Sequence, residues 1–458
     1  MSPAGGGARP APRVALERWT ESLARAGWPG PGDPVPGDAA ATRIPVGEAL
    51  GRATAVPVAA RWPSPRSDCA AMDGIAVRAA DLAAAPAVRA ADRPADVAGD
   101  GTVRLAAGTF EWIDTGDPMP DGADTVVMRE WLLPQADGSV LVTPAVGGGS
   151  GPRPPHATRG RNVRAAGEDF AAGEVLVPAG RRLRPGDLAA VAAAGHATVT
   201  VTRDPVVAII PTGDEIRPVG TALRRGDIAD TNSLMLAARC RQLGAVPVVS
   251  AVVPDDPDAL AAELRRAAAE ADLVLVIAGS SRGRGDHAAA VLAQVGGVAV
   301  AGVAVRPGHP ALLGHAKRPE DGHGRGGPGQ AGPRVSVGHV SAIAPVVGLP
   351  GYPLAAAVIF ELFAAPMLGE LSGLAPAAWR VRARLDRDWS SPADIEDWVL
   401  VTLSPAGRGD LPRATPARRG ASSISLLARA DAWWPIPAGQ GTFTAGAAID
   451  VMPIAGGG

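Results

Sequence analysis

The sequence is poor in several residue types, and each scarcity excludes a class of protein. Cys69 and Cys240 are the only cysteines among 458 residues, too few for a disulfide framework, and a metal site built on cysteine is not expected. The formal net charge of -2 gives no general attraction to nucleic acid or to anionic membranes. The N-terminal stretch MSPAGGGARPAPR lacks the apolar core of a signal peptide, and the most apolar segment, 272–278, is too short to span a bilayer. We therefore expect a soluble cytoplasmic protein.

Lysine, asparagine and tyrosine are almost absent. Lys317 is the only lysine, Asn162 and Asn232 are the only asparagines, and Tyr352 is the only tyrosine. Alanine, glycine, proline and arginine dominate instead, as they do in proteins from GC-rich genomes. An arginine at a position where lysine would also serve is therefore weak evidence of special chemistry.

The first 200 residues predict short elements rather than a single large core. The chain is long enough for roughly three domains at about 150 residues each, and its 47% hydrophobic content indicates a globular protein. An amphipathic helix is expected over 14–26, and a second helix over 46–53 followed by a strand. Short apolar runs alternate with turns over 103–142, which predicts a small β-rich domain. The Gly- and Pro-rich stretch 147–160 predicts a loop or linker.

From residue 205 onward, buried strands alternate with helices. Such alternation predicts a parallel sheet with helices on both faces, where ligands bind outside the carboxyl ends of the strands. The helix over 231–243 has Asp230 or Thr231 placed to cap it. The predicted strands run into the polar loops TGDE, PDD and GSSRGRGD, and the predicted helices cover 231–243, 258–271 and 286–294.

The rest of the sequence predicts a surface insertion that interrupts the α/β pattern, then one more strand and helix, and finally a β domain. Residues 318–334 are too rich in glycine and proline to pack, which indicates a surface insertion. VVGLPGYP predicts a strand and a turn before a helix that ends near Leu371. After Trp379, short strands separated by Pro/Gly turns predict a small β-barrel or sandwich.

Carboxylates follow three of the predicted strands. Asp214 and Glu215 lie in TGDE, Asp255 in PDD, and Asp286 closes the serine–glycine loop. Oxygen ligands of this kind suit Mg²⁺, which commonly bridges carboxylates and phosphate. Helix capping and loop solvation explain any one of these carboxylates equally well. Together they resemble a site that holds a metal and a phosphate.

The stretch VIAGSSRGRGDH leaves three interpretations open: a serine nucleophile, a phosphate-binding turn, or a solvated loop. Ser281 is the central residue of a loose G-x-S-x-G elbow, as in α/β-hydrolases. That fold expects a histidine late in the chain, and none of the late histidines has a convincing setting. The paired turns PGHP (307–310) and PGYP (350–353) are ordinary structural turns or a rigid rim around a ligand.

Taken in order, these motifs resemble the molybdopterin molybdenumtransferases, the enzymes that place molybdate on an adenylylated pterin dithiolene. The resemblance covers about residues 14–454 and is to a variant branch with GSS, RPGHP and PGYP motifs. It rests on AMDGIAV (71–77), IDTGDPMPDGADTVVMRE (113–130), GEDFAAGEVLVPAGRRLRP (167–185), PTGDEI (211–216), DTNS (230–233), PDDPDAL (254–260), GSSRGRGDH (279–287), RPGHP (306–310) and GLPGYP (348–353).

The resemblance implies an elongated, four-lobed subunit in a homodimer. Its lobes would be an N-terminal lobe (14–65 with 156–204), a β-rich insertion lobe (66–155), an α/β molybdopterin-binding domain (205–371) and a C-terminal β domain (372–458). In the family, the active-site cleft lies between the α/β domain of one subunit and the insertion lobe of the other. A molybdopterin adenylyltransferase is the expected protein partner.

The resemblance also assigns roles to residues. The implied reaction inserts molybdate into adenylylated molybdopterin with release of AMP, supported by Mg²⁺. Ser281 then becomes a hydrogen-bond donor to a phosphate or oxyanion rather than a nucleophile. The implied catalytic residues are Asp73, Thr115, Glu215, Asp255 and Asp286, of which Glu215, Asp255 and Asp286 would bind the metal. The implied pterin- and phosphate-binding residues are Gly213, Asp214, Gly279, Ser281, Gly283, Arg306, Pro350 and Pro353.

Several positions depart from the family pattern. Arg284 replaces an acidic residue, and Arg306 and His309 replace lysines. Tyr352 stands in the PGNP motif, and Ile75 replaces the tyrosine of DGYA. Asp117 replaces the alanine of TGA. A second hypothesis therefore stays open, in which the chain is a non-catalytic pterin- or oxyanion-binding regulatory or scaffold protein.

Overall fold

The computed structural model describes residues 9–29, 41–84, 87–90, 105–142, 158–278, 287–319, 341–374, 380–407 and 409–454. Within these ranges the strands form separate sheets, three of them six-stranded. These correspond to a β-rich insertion lobe, an α/β domain and a C-terminal barrel. The predicted multidomain fold is confirmed.

The N-terminal lobe is built from short antiparallel pairs. Its strand pairs are Ala41–Pro45 with Thr198–Thr202 and Val58–Ala59 with Val175–Val177, beside the helix Pro185–Ala193. A third pair, Val163–Arg164 with Cys69–Ala70, joins this lobe to the insertion lobe. The predicted helix over 46–53 is wrong. Only one 3-10 turn forms, Val46–Glu48, because Gly51 takes a left-handed φ of 76° that ends helical geometry.

The insertion lobe is a six-stranded sheet, as its alternating pattern predicted. Its strands, in spatial order, are Thr125–Met128, Gly74–Val77, Thr109–Ile113, Ala87–Ala90, Ser139–Val142 and Leu132–Pro134, with a short helix, Ala79–Ala84, and a 3-10 turn, Arg129–Trp131. Gly74 is needed where two strands come close, since a Cβ there would lie 1.9 Å from the Val127 carbonyl oxygen. The predicted loop over 147–160 lies almost wholly outside the described residues.

The α/β domain contains the second six-stranded sheet. Four strands are parallel, in agreement with the prediction, and two more extend the sheet in antiparallel orientation. The order is Val246–Val249, Val206–Pro211, Leu273–Ala278, Ile343–Pro350, Leu312–Lys317 and Gly296–Ala301. The sheet is therefore mixed. Between Gly296–Ala301 and Leu312–Lys317 the chain is too short for a crossover helix, so only an antiparallel pair can form.

Helices cover both faces of this sheet, because its central strands are apolar on both sides. On one face lie Thr231–Gln242, Pro12–Arg25 and the long helix Pro353–Ser372; on the other lie Pro257–Glu270 and Ala288–Val295. Asp230 caps the first of these helices through Ser233, as predicted. The N-terminal helix is held by Trp19, which is fully buried and donates from Nε1 to the Gly314 carbonyl at 2.8 Å.

The helix Pro353–Ser372 passes through a π-type turn at Phe360–Ala364. An 18-residue window of this 20-residue helix has a mean hydropathy of 1.7, so by length and composition the helix could cross a membrane, unlike the short segment 272–278. In this structure it is a core helix, with Phe360 and Phe363 buried between the sheet and the barrel.

The C-terminal domain is a closed barrel of five strands, which confirms the barrel prediction. Glu396–Ser404 pairs with both Arg413–Pro416 and Ala432–Ile436, and this double pairing closes the ring through Val381–Leu385 and Ala448–Pro453. Val305–Arg306, from the α/β domain, adds to the strand Glu396–Ser404 and joins the two domains. The shorter elements are Trp389–Ser390, Thr442–Phe443 and the helix Ile424–Arg429.

Most of the predicted surface insertion 318–334 lies outside the described residues, but its first residue packs. The guanidinium of Arg318 donates from Nε to the Ile343 carbonyl at 3.0 Å, and burial lowers its pKa to about 10. The insertion therefore begins from an anchored arginine.

His315 is a buried histidine in the strand Leu312–Lys317. It is 9% exposed, and within the described part of the chain its Nδ1 has no hydrogen-bond partner. Gly297 lies opposite, and a Cβ there would be 2.7 Å from His315 Cε1. Burial, reinforced by the charge of Lys317, lowers the pKa of this imidazole. The folded state therefore holds His315 neutral.

We expect this burial to make stability depend on pH. The unfolded imidazole has a pKa of about 6.5, so below that pH the unfolded state binds a proton that the folded state resists. Chemical unfolding midpoints should fall as pH decreases through about 6.5, and His315→Phe should reduce that slope. An equal slope in the variant would contradict this origin.

Candidate active site

The carboxyl ends of the parallel strands meet at one edge of the α/β sheet. In neighbouring strands, Pro211 is in register with Ile277, and Ala278 with Pro350. The loops that follow these strands therefore leave the sheet side by side. A cleft opens there, lined by Thr212, Pro254, Asp255, Asp256, Leu260, Ala278, His287 and Ala288. We call it the strand-end cleft.

The TGDE loop is tied to both neighbouring strands. Thr212 donates to the Ile277 carbonyl from its backbone N at 3.0 Å and from its hydroxyl at 2.9 Å. Gly213 N donates to the Val253 carbonyl at 3.1 Å. Gly213 has a φ of 132°, and a Cβ there would lie 2.8 Å from Oε2 of Glu215. Glycine thus lets the Glu215 carboxylate fold back over the turn, while Asp214 and Glu215 stay exposed.

The PDD loop lies directly beside the TGDE loop. The backbone N of Asp255 donates to Oδ1 of Asp214 at 3.2 Å. Asp256 is the N-cap of Pro257–Glu270, since its carboxylate accepts from Asp258 N at 2.7 Å and Ala259 N at 3.0 Å. Helix capping therefore explains the carboxylate of Asp256. The carboxylate of Asp255 does not cap the helix.

The side chain of Asn232 holds the turn 350–353 through a hydrogen bond to its backbone. Pro350 ends its strand and Pro353 begins the long helix. Asn232 is 7% exposed, and its Nδ2 donates to the Gly351 carbonyl at 2.7 Å. This bond fixes the orientation of the amide, and the buried Oδ1 has no hydrogen-bond partner among the described residues. The turn is held rigidly at the edge of the strand-end cleft.

Four predicted residues lie outside the described part of the chain: Gly279, Ser281, Gly283 and Asp286. The residues that flank this segment, Ala278 and His287, both line the strand-end cleft. The predicted helix that follows is observed as Ala288–Val295.

Arg306 lies in a second cavity, between the α/β domain and the barrel. The cavity has a volume of about 170 Å³ and adjoins the turn 350–353 through Leu354. Asp397, 2% exposed, accepts from Arg306 at 3.1 and 3.2 Å, from Arg419 at 2.9 Å and from Ser391 at 3.0 Å. Arg418 also lines the cavity. Two guanidiniums, those of Arg306 and Arg419, therefore contact one carboxylate in a cavity that Arg418 also lines, and we call this the guanidinium cavity.

Asp73 and Thr115 come together in the insertion lobe. Thr115 donates to Asp73 Oδ1 from its backbone N and from its hydroxyl, each at 2.7 Å. These bonds, the hydroxyl's first, lower the pKa of the exposed Asp73 carboxyl. In the described structure, the hydrogen bonds of this pair stay within the insertion lobe and do not reach the strand-end cleft.

Two residues that support these sites, Asn232 and Asp397, were not predicted from the sequence as site residues. Asn232 could have been noticed, because it is one of only two asparagines and belongs to the DTNS motif. Nothing in the sequence points to Asp397, because its role comes from burial against arginines that are distant in sequence. Across the described ranges, no group of three or more His, Cys, Asp or Glu side chains could hold a metal.

Comparison with known proteins agrees with this architecture along the whole chain. Family models match residues 15–195 (MoeA N-terminal region, domain I and II), 208–370 (probable molybdopterin binding domain) and 382–454 (MoeA C-terminal region, domain IV). A molybdopterin molybdenumtransferase of Nostoc sp. is 31% identical, over 89% of this chain and 87% of the relative. Molybdopterin molybdenumtransferase 2 of Mycobacterium tuberculosis is 33% identical, over 72% of this chain and 75% of the relative. The chain belongs to the molybdopterin molybdenumtransferase family.

A solved structure supports the same assignment. The crystal structure of the molybdopterin biosynthesis MoeA protein from Pyrococcus horikoshii matches with a TM-score of 0.75 and 26% identity, covering 98% of this chain and 100% of that one. The molybdenumtransferase resemblance of the motifs is thereby confirmed, and the comparisons give no support to a non-catalytic scaffold.

Two departures from the molybdenumtransferase motifs have different structural settings. Ile75 is fully buried in the insertion lobe, so the position packs a core. Tyr352 is 56% exposed at the turn beside the strand-end cleft, where a phenol can meet a ligand.

The hydrogen bonds of Thr115 predict a measurable effect on Asp73. Thr115→Val removes the hydroxyl donor and keeps the backbone N–H, so the Asp73 pKa should rise toward its ordinary value. Carboxyl titration by NMR would measure this, and Thr115→Ser should leave the pKa low. If Val and Ser gave the same pKa, the hydroxyl would not be its main cause.

Proposed function

We propose that this protein inserts molybdate into adenylylated molybdopterin and releases AMP. The observation that carries the proposal is the adjacency of the TGDE and PDD loops at the strand-end cleft, where Asp255 N contacts Asp214 Oδ1. The two loops lie side by side near the turn 350–353 and carry the exposed carboxylates of Asp214, Glu215 and Asp255. Loops of this composition suit a metal that is bound together with a substrate phosphate.

The donor set of the cleft fits Mg²⁺. One oxygen of Asp214 already accepts a backbone N–H, which leaves Glu215 and Asp255 as the described carboxylate ligands. Mg²⁺ is commonly held by one or two carboxylates together with substrate phosphates, so a cluster of three protein ligands is not required. Glu215 and Asp255 would hold it, joined by Asp286. Bound there, the ion would polarise the substrate pyrophosphate and favour its cleavage.

The guanidinium cavity offers a place for the anionic part of the reaction. Asp397 neutralises part of the charge of Arg306 and Arg419, and Arg418 has no ion pair among the described residues. The surplus positive charge favours an oxyanion such as molybdate. The resemblance assigns Arg306 to pterin and phosphate binding, and here we place its paired guanidinium in the wall of this anion site. Catalysis would then rest on positioning and charge stabilisation, without a covalent protein intermediate.

A homodimer would complete the site. Asp73 and Thr115 lie in the insertion lobe, whereas the acidic loops lie in the α/β domain. In a two-fold assembly, the insertion lobe of one subunit can meet the strand-end cleft of the other. Placement in the cytoplasm and supply of substrate by a molybdopterin adenylyltransferase belong to the same proposal.

The proposal is tested by supplying adenylylated molybdopterin, Mg²⁺ and molybdate and following AMP release and pterin-bound molybdenum. Glu215→Gln keeps the size of the side chain and removes its charge, so turnover should fall at least about a hundredfold. Asp286→Ala should abolish turnover while the fold stays intact. Asp258→Asn, in the first turn of the helix Pro257–Glu270 and three positions after Asp255, is the matched control. Ligand binding without AMP release by the wild type would favour the non-catalytic hypothesis instead.

The guanidinium cavity has its own test. Arg418→Gln should weaken molybdate binding about tenfold, because a charge-assisted contact is lost. Calorimetric titration with molybdate at low ionic strength would measure this affinity. Arg413→Gln, which changes an exposed arginine on the barrel strand Arg413–Pro416, is the control. Equal affinities in the two variants would exclude Arg418 from the oxyanion site.

A further inference from the structure

The insertion lobe exposes a tryptophan beside Asp73 and Thr115. Trp112 is 50% exposed, although it lies on a strand whose neighbours Phe110 and Ile113 are buried. It pairs with Ile75, two residues after Asp73, and precedes Thr115 by three residues. A large aromatic side chain left half in water is characteristic of a surface that binds something.

The indole is held in a defined environment. The ring of Phe110 meets it edge-on, with centroids 5.6 Å apart and an interplanar angle of 88°. The guanidinium carbon of Arg129 lies 5.8 Å from its centroid, within the range of a cation–π contact. Arg129 is anchored in turn, since its backbone N donates to the Asp73 carbonyl at 3.0 Å. Its Nη2 lies 3.9 Å from Oδ1 of Asp114.

The combination is specific in its chemistry. An aromatic surface offers stacking to a planar ring, and the exposed guanidinium beside it offers a contact to phosphate. An oxyanion alone would use the arginine and leave the indole unexplained. An apolar protein partner would use the indole, but it would desolvate the charges of Arg129, Asp114 and Asp73, which are all exposed.

We propose that Trp112 stacks against a fused nitrogen heterocycle of the substrate, and that Arg129 contacts the phosphate of the same half of the substrate, to which the ring is linked through intervening atoms. This inference rests on the proposed function, whose substrate carries two such rings, adenine and pterin, each linked to phosphate. It adds a ring-binding surface to the insertion lobe, distinct from the strand-end cleft and the guanidinium cavity.

Calorimetric titration of the full-length protein with AMP, and separately with a pterin monophosphate, tests the inference. Trp112→Leu should weaken binding of the stacked ligand about tenfold, whereas Trp112→Phe should keep it within about threefold. Loss in the AMP arm alone identifies adenine, and loss in the pterin arm alone identifies the pterin. Arg129→Gln should weaken AMP binding or pterin monophosphate binding, but not binding of the same ring without its phosphate.

The matched control is Trp62→Phe, which changes another tryptophan that lies under an arginine, Arg66, in the N-terminal lobe. The inference is overturned if the wild type binds neither ligand, if Trp112→Leu binds both normally, or if Trp62→Phe weakens binding as much as Trp112→Leu. It is also overturned if acrylamide quenching shows Trp112 covered by a second copy of the chain before ligand is added.

Failure here is distinguishable from failure of the proposed function. Wild-type AMP release together with normal binding by Trp112→Leu would remove the ring-binding surface and leave the enzyme. If ligand binding depended on Trp112 but the wild type released no AMP, the ring-binding surface would stand and the proposed enzymatic function would fail.

Discussion

The structure depends on the parallel pairing of four strands in the α/β domain. Because parallel strands share a direction, the ends of Val206–Pro211, Leu273–Ala278 and Ile343–Pro350 come to one edge. The strand Val246–Val249 pairs in parallel with Val206–Pro211, so the described loops TGDE and PDD leave the sheet side by side. Their acidic side chains repel one another, so attraction between them does not bring these loops together. The sheet supplies the energy, through strands buried on both faces.

A second constraint joins the α/β domain to the barrel. Strand Val305–Arg306 adds to the barrel strand Glu396–Ser404, and the side chain of Arg306 ends on the buried carboxylate of Asp397. A buried carboxylate is tolerated only when it is fully paired, and two guanidiniums and a hydroxyl satisfy this one. The same pairing holds two arginines at the wall of a cavity next to the turn 350–353. Stability of the domain junction and organisation of the proposed anion site therefore depend on one set of contacts.

Rigidity around the cleft comes from small features that act on the backbone. Gly213 gives the space into which Glu215 folds, and Asn232 holds the Gly351 carbonyl.

The sequence alone was sufficient for the α/β alternation, for a small C-terminal barrel or sandwich, for a helix cap at Asp230 or Thr231 and for the order of the family motifs. These depend on local periodicity, on capping chemistry and on motif order, which are written in consecutive residues.

The tertiary structure decided the rest. Only it shows that two antiparallel strands extend the sheet, that 46–53 is a single turn rather than a helix, and that Arg306 is paired with Asp397. It alone shows that Trp112 is half exposed beside Asp73. Each of these depends on which distant residues come into contact and on which side chains are buried. Neither property produces a periodic pattern in the sequence.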